Sequence, residues 1–237
     1  MTTTSGTTAF NLDLNEIIEE SFERCGIEVR TGYEHRTARR SMNLMFTEWA
    51  NRGINLWTIE QGTPIPMTTG TITYNLPVDT VDLIEQVLRT QTGIPQTDIN
   101  ISRISVDTYA TIPNKNAQGR PIQVWINRQS GVLTPTGIAY PTINVWPAPD
   151  QDNYYTFVYW RLRRMQDAGG GANIQDVPFR FINCLAAGLA YYLSLKIPEA
   201  AQRIPMLKEM YDEQLRLALD EDREKAPLRL APRQLFY

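Results

Sequence analysis

The chain has 237 residues and a mass of 27.1 kDa, with 42% hydrophobic and 21% charged residues, which is enough apolar material for a sizeable core and too much for a disordered chain. The 23 Lys and Arg against 26 Asp and Glu leave a net charge of −3 and a pI near 5.3, and this argues against a general nucleic-acid coat. Gly 14 and Pro 15 are ordinary numbers that exclude a collagen-like or linker-dominated chain.

From the N-terminus, residues 1–9 are rich in Thr, Ser and Gly, with no basic start and no apolar block, so they do not read as a signal peptide. Residues 11–53 predict two helices. Asp13 with Glu16, and Thr31 with Glu34, are capping-box pairs. Leu14, Ile17, Ile18 and Phe22 follow the first pair at helical spacing, and Gly26 offers a left-handed stop. Leu44, Met45 and Trp49 are the expected apolar face of the second helix, which Gly53 ends.

Residues 54–165 predict short β-strands. Alternation at 71–76 and β-rich runs at 123–127, 142–146 and 154–162 are separated by dense Gly and Pro. Strands this short and this often interrupted suit a small sandwich or barrel better than a parallel sheet. One short helix is expected near 105–112, with Asp107 in its first turn.

Residues 176–225 return to helix. Asp176 is a candidate N-cap with Pro178 in the first turn, and 179–195 is apolar nearly all round, as befits a central helix. Pro198 breaks it. A last helix from about 199 to 226 has Met206, Met210, Leu215, Leu217 and Leu219 as apolar positions and Glu209, Asp212, Glu213, Asp220 and Glu221 as an acidic face. The glycines of 167–175 suggest a flexible loop, and 227–237 an extended tail. The fold class is therefore α+β. A helical bundle from both chain ends (10–56 and 174–226) carries an inserted small antiparallel β domain (57–166) and an extended C-terminal tail (227–237).

Little here suggests catalysis. The single histidine, His35, sits among Arg36, Arg39 and Arg40, so no Ser-His-Asp set can draw on a second one. Cys25 and Cys184 lack partners at metal-ligand spacing and fit a reducing compartment rather than a disulfide framework. No phosphate-cradling loop is present, no cofactor or metal is expected, and no apolar run is long enough to span a bilayer. The chain reads as a non-enzyme, although paired carboxylates in the last helix leave a hydrolase open.

Three features suggest contact with other molecules. Arg36 and Arg40 share a helical face beside Arg39, which suits phosphates, a partner subunit or ordinary pairing with Glu20, Glu23 and Glu28. Arg161, Arg163 and Arg164 follow Tyr159 and Trp160 at a strand end, with the first two on one side and the third on the other. They could face another subunit or DNA, or simply mark a strand running into a charged loop. The tail alternates Leu228, Leu230, Leu235, Phe236 and Tyr237 with Arg229 and Arg233, a pattern suited to an extended peptide laid on a partner, with a fold back onto its own core or a disordered end as the other readings. A DNA-binding module using the arginine patches is the alternative reading.

The stretches DLNEIIEESFERCG (13–26), RTARRSMNL (36–44), EWANRGINLW (48–57), WPAP (146–149), YWR (159–161), DVP (176–178) and FINCLAAGLA (181–190) resemble the head-to-tail adaptor (connector) proteins of tailed bacteriophages, of the tail accessory factor and tail tubular protein A type. The likeness covers the helical ends, about half of the chain. It implies a helical bundle joined to a β domain and a ring of twelve copies below the portal protein, with double-stranded DNA passing transiently through the lumen. It also implies a C-terminal tail docked on the portal and a nozzle or other tail protein on the far side. The expected role is structural: to prolong the DNA channel, retain packaged DNA and attach the tail. The expected location is the virion, after synthesis in the host cytoplasm, with no membrane contact.

Overall fold

The computed structural model describes residues 4–29, 31–54, 56–91, 95–128, 133–134 and 137–223. In chain order its elements are α1 (Leu14–Cys25), α2 (Gly32–Asn51), β1 (Ile59–Gln61), β2 (Ile65–Pro66), β3 (Thr73–Asn75), β4 (Thr80–Thr90), β5 (Thr97–Asn100), β6 (Ser102–Arg103), α3 (Val106–Ala110), β7 (Gln123–Asn127), β8 (Leu133–Thr134), β9 (Gly137–Ile138), β10 (Thr142–Trp146), β11 (Tyr155–Arg163), α4 (Ile182–Ser194) and α5 (Ile204–Glu221). This is a mixed α+β fold. Its described residues form two compact units, one within Met1–Ile54 and Gln166–Tyr237, the other within Asn55–Met165.

Both expected capping boxes form at α1 and α2. The first amides of α1 are all met, as a helix start requires. Glu16 N–H donates to Asp13 Oδ1 at 2.9 Å and Ile17 N–H to the Asp13 carbonyl at 3.0 Å, while Leu14 and Asn15 donate to the carbonyls of Asn173 and Gly171 at 3.0 and 3.1 Å. The segment 167–175, expected to be a loose loop, is thereby tied down. Ala168 in it is fully buried and donates to Asn43 Oδ1 at 2.9 Å, and Gly170 donates to Asn173 Oδ1 at 2.7 Å. Its glycines let the backbone bend back on Asn173, and the carbonyls so exposed serve α1. At the other end α1 stops at Gly26, φ 79°, with Gly26 N–H on the Glu23 carbonyl and Ile27 N–H on the Phe22 carbonyl.

Helix α4 is central to its unit. It packs on α1, α2 and α5, and ten of its residues are buried, from Ile182 to Ser194. Asp176 does not cap it. The Asp176 carboxylate accepts instead from Gln166 N–H at 3.0 Å, and the chain enters α4 through a 3-10 turn, Phe179–Phe181. Pro198 likewise opens a 3-10 turn, Pro198–Arg203, before α5, where Pro205 sits in the first turn, a position without an amide to lose. The buried face of α5 is Leu207, Tyr211, Leu215 and Ala218. Of the apolar positions expected there, only Leu215 belongs to it.

In the second unit, β1, β2, β11, β4 and β5 form one antiparallel sheet and β3, β10, β7 and β6 another, with β6–β7 the parallel pair. Inward side chains from both enclose one apolar layer that includes Leu83, Leu88, Val124, Ile126, Ile143, Val145, Phe157 and Tyr159. Neither sheet closes into a barrel among the described residues. The longest strand, β4, has apolar residues at 81, 83, 84, 87 and 88, a helix-like rather than alternating pattern that conceals it in the sequence. Its long antiparallel register with β11, interrupted by two bulges, overrides that local pattern. Ser105 caps α3 by accepting from Thr108 N–H at 3.2 Å.

Gly188 marks the tightest helix approach. A Cβ there would stand 2.5 Å from Met45 Sδ and 2.8 Å from the Tyr211 ring, and Tyr211 is fixed by accepting from Trp49 Nε1 at 2.8 Å. Gly188→Val is expected to lower stability by about 2 kcal/mol through overpacking, read as a lower urea midpoint for the helical signal with an unchanged slope.

Candidate functional site

Two helices of the first unit present exposed faces opposite their buried ones. On α2, Tyr33, Arg36, Arg40 and Leu44 recur three, four and four residues apart and form one solvent-facing stripe. Tyr33 is 66% and Leu44 55% exposed, so Leu44 lies outside the core face expected of it, which is built by Ala38, Met42, Met45 and Trp49 instead. On α5, Met206, Met210 and Leu217 share a second stripe, flanked by Glu209, Glu213 and Asp220. Met206 is 57% and Leu217 50% exposed. One stripe joins apolar residues to two guanidinium groups; the other joins them to Glu209 and Glu213, while Asp220 pairs with Arg223 at 2.5 Å and exposed Arg216 lies on the same edge. Faces of this kind suit protein contact, with an apolar centre and charges that fix register.

The arginines read from the sequence fall in different surroundings. Arg36 and Arg40 are exposed on the α2 stripe, and neither has a polar partner among the described residues. Arg39 points elsewhere on the same helix and donates to the Gly169 carbonyl at 3.2 Å. Glu20 is held by Arg24 of its own helix at 2.7 Å rather than by the α2 arginines. Arg161 is buried. Its guanidinium donates to Glu60 Oε1 at 2.6 and 3.0 Å, to Asp79 at 2.5 and 3.2 Å, and to Thr80 Oγ1 at 2.9 Å. Arg163 reaches Glu60 at 3.3 Å from the same side of β11, and Arg164 is exposed. Leu228, Arg229, Leu230, Arg233, Leu235, Phe236 and Tyr237 lie outside the described residues.

Nothing in the residue pattern marks Glu60, Asp79 and Thr80 as partners of Arg161, because they meet it only through the pairing of β1 and β4 with β11. A second cluster was equally hidden: Asp82 accepts from Arg103 at 2.8 Å and from Arg128 at 3.0 Å. The thiols are poor nucleophiles. Burial pushes Cys184 up to about 12, and Cys25 up to about 11 against the opposing pull of Arg203. Among the described residues, no group of three or more His, Cys, Asp or Glu is placed to hold a metal ion, and no helix is long and apolar enough to cross a membrane.

A helical unit with two unlike, charge-complementary faces and an inserted β unit defines a protein suited to assembly. The SU10 adaptor protein family model matches residues 2–232, nearly the whole chain, and the chain belongs to that family. It is thus a phage adaptor, a structural component of the head-to-tail type, as the helical motifs indicated. No curated protein matches this chain.

The Arg161 cluster makes the β unit acid-sensitive. Burial alone would raise the Asp79 carboxyl, but Arg161 and Arg163 outweigh it and hold it below its usual value. A depressed carboxyl contributes stability that is present above its unfolded value, near ~3.9, and lost as pH falls through the folded one. Asp79→Asn should therefore flatten the loss of β-unit stability below about pH 4. Arg161→Met should cost about 2 kcal/mol at neutral pH, since the partly exposed acids left behind regain water. Urea titrations across pH, followed by tryptophan fluorescence, check both.

Proposed function

We propose that copies of this chain close into a ring below the portal, prolong the DNA channel, retain packaged DNA and attach the tail. The observation that carries this reading is the pair of stripes on α2 and α5. A rotationally symmetric ring needs two different, mutually complementary surfaces on each subunit. Tyr33, Arg36, Arg40 and Leu44 of one copy offer apolar and cationic groups to Met206, Glu209, Met210, Glu213 and Leu217 of the next. Twelve copies is the number implied by the adaptors the sequence resembles.

In this reading the helical parts (10–56 and 174–226) carry the joint, and the inserted β domain (57–166) offers a second surface for the nozzle or another tail protein. The tail 227–237 docks on the portal through Leu228, Leu230, Leu235, Phe236 and Tyr237, with Arg229 and Arg233 meeting acidic groups. Arg164 is the exposed member of its trio, and that exposure supports assigning it the contact with passing DNA. The net charge of −3 suits a channel that DNA traverses without being gripped, since each phosphate contact adds salt-dependent affinity. The chain is made in the host cytoplasm and takes its place at the head–tail junction of the virion.

Mixing the purified chain with its cognate portal rings should add an ordered layer in electron micrographs; bare portals at micromolar protein would refute the reading. Arg36→Glu with Arg40→Glu should abolish the layer, and adding Glu209→Lys with Glu213→Lys on the same chain should restore it, because the joint's charges are then exchanged. Truncation after Ala226 should leave the helical fold intact by circular dichroism and weaken portal attachment by at least tenfold, measured by sedimentation with portal rings.

A further inference from the structure

The described residues hold a groove of about 630 Å³ between α1 and the start of α4. Its apolar surface comes from Phe10, Phe179, Ile182 and Ala186, and Phe10 and Phe179 are 67% and 74% exposed. Its α1 wall carries Glu16, Glu19, Glu20 and Glu23. Glu16 is engaged in its capping box and Glu20 with Arg24. Glu19 and Glu23 are exposed and lack a polar partner among the described residues. Two large aromatic side chains this open to water beside two unpaired carboxylates specify an occupant that is both apolar and basic.

The chain itself supplies one. Helix α5 ends next to this groove, because Arg180, which lines it, donates through Nε to Oδ1 of buried Asp222 at 2.7 Å. The described residues thus end, at Arg223, beside this groove. Extended, residues 224–237 reach roughly 46–50 Å, whereas the wall from Glu16 to Glu23 is about 10 Å long. Beyond Glu224 they carry Lys225, Arg229 and Arg233 among Leu228, Leu230, Leu235 and Phe236. In an extended peptide Leu228 and Leu230 fall on one side and Arg229 on the other.

We propose that in the free protein residues 224–237 occupy this groove of their own chain, Leu228 and Leu230 against Phe10 and Phe179, and Arg229 and Arg233 on Glu19 and Glu23. This goes beyond the portal reading and does not require it. Where the same tail docks on a portal, it first leaves the groove, so the groove competes with the portal for it.

The test uses the full-length free chain with two surface substitutions, Glu19→Cys and Arg229→Cys, and a short bismaleimide; Cys25 and Cys184 are buried. Lys208→Cys with Arg229→Cys is the control for a wandering tail, since Lys208 is exposed on α5 away from the groove. Intact mass should show a cross-linked monomer formed at least tenfold faster for the groove pair than for the control, and at least threefold slower once Glu23→Gln is added. Equal rates for the two pairs, no cross-link, or a cross-linked dimer would each overturn the proposal, the dimer by placing the tail on a second copy. A loss of portal layering in the separate mixing experiment would bear on the ring reading alone.

Discussion

An apolar helix with no polar side to turn outward must be covered all round, and α4 imposes that demand on the helical unit. Three helices are needed to enclose it, and they come from both sides of the inserted strands: α1 and α2 before them, α5 after. Small residues on α4 set how closely they approach, most visibly where Gly188 lies under Met45 and the Trp49–Tyr211 hydrogen bond. Each covering helix spends one face on α4. What its other face carries is then free to serve contacts outside the unit.

That division explains the site. The core-facing residues of α2 and α5 are fixed by packing, which leaves the exposed stripes on the same helices free for the proposed joint between copies. Large apolar side chains at half exposure or more are costly unless something covers them. Here they recur at helical spacing among charges, cationic on one helix and mainly acidic on the other. The β unit uses its charges differently. Arg161 is consumed by Glu60, Asp79 and Thr80, and so acts as a clasp across β1, β11 and the entry to β4.

Much of this was legible in the residues. Asp13–Glu16 and Thr31–Glu34 announce α1 and α2 because capping is local, and β7 and β10 coincide with the β-rich runs at 123–127 and 142–146. The α5 stripe was readable only as apolar positions: Met206 and Leu217 look like core in a linear sequence, and only the burial of Leu207, Tyr211 and Ala218 shows which face turns inward. β4 was hidden because its apolar spacing mimics a helix and its strand character comes from β11, a partner far along the chain that no local pattern announces. Asp176 satisfied every local rule for an N-cap, yet its carboxylate serves Gln166. Arg161 looked like a surface arginine because nothing adjacent in sequence neutralises it.

The pairing of Ile59 with Leu162 has an entropic corollary. Trp49 and Phe181, whose ring centroids stand 5.6 Å apart, must meet across a long stretch of chain before α2 can lie on α4. Once the strands between them have zipped, the effective tether shrinks roughly fivefold, which trims the closure entropy by about 1 kcal/mol. Strand pairing in the interposed segment thus lowers the entropic cost of bringing α2 onto α4 in the four-helix part.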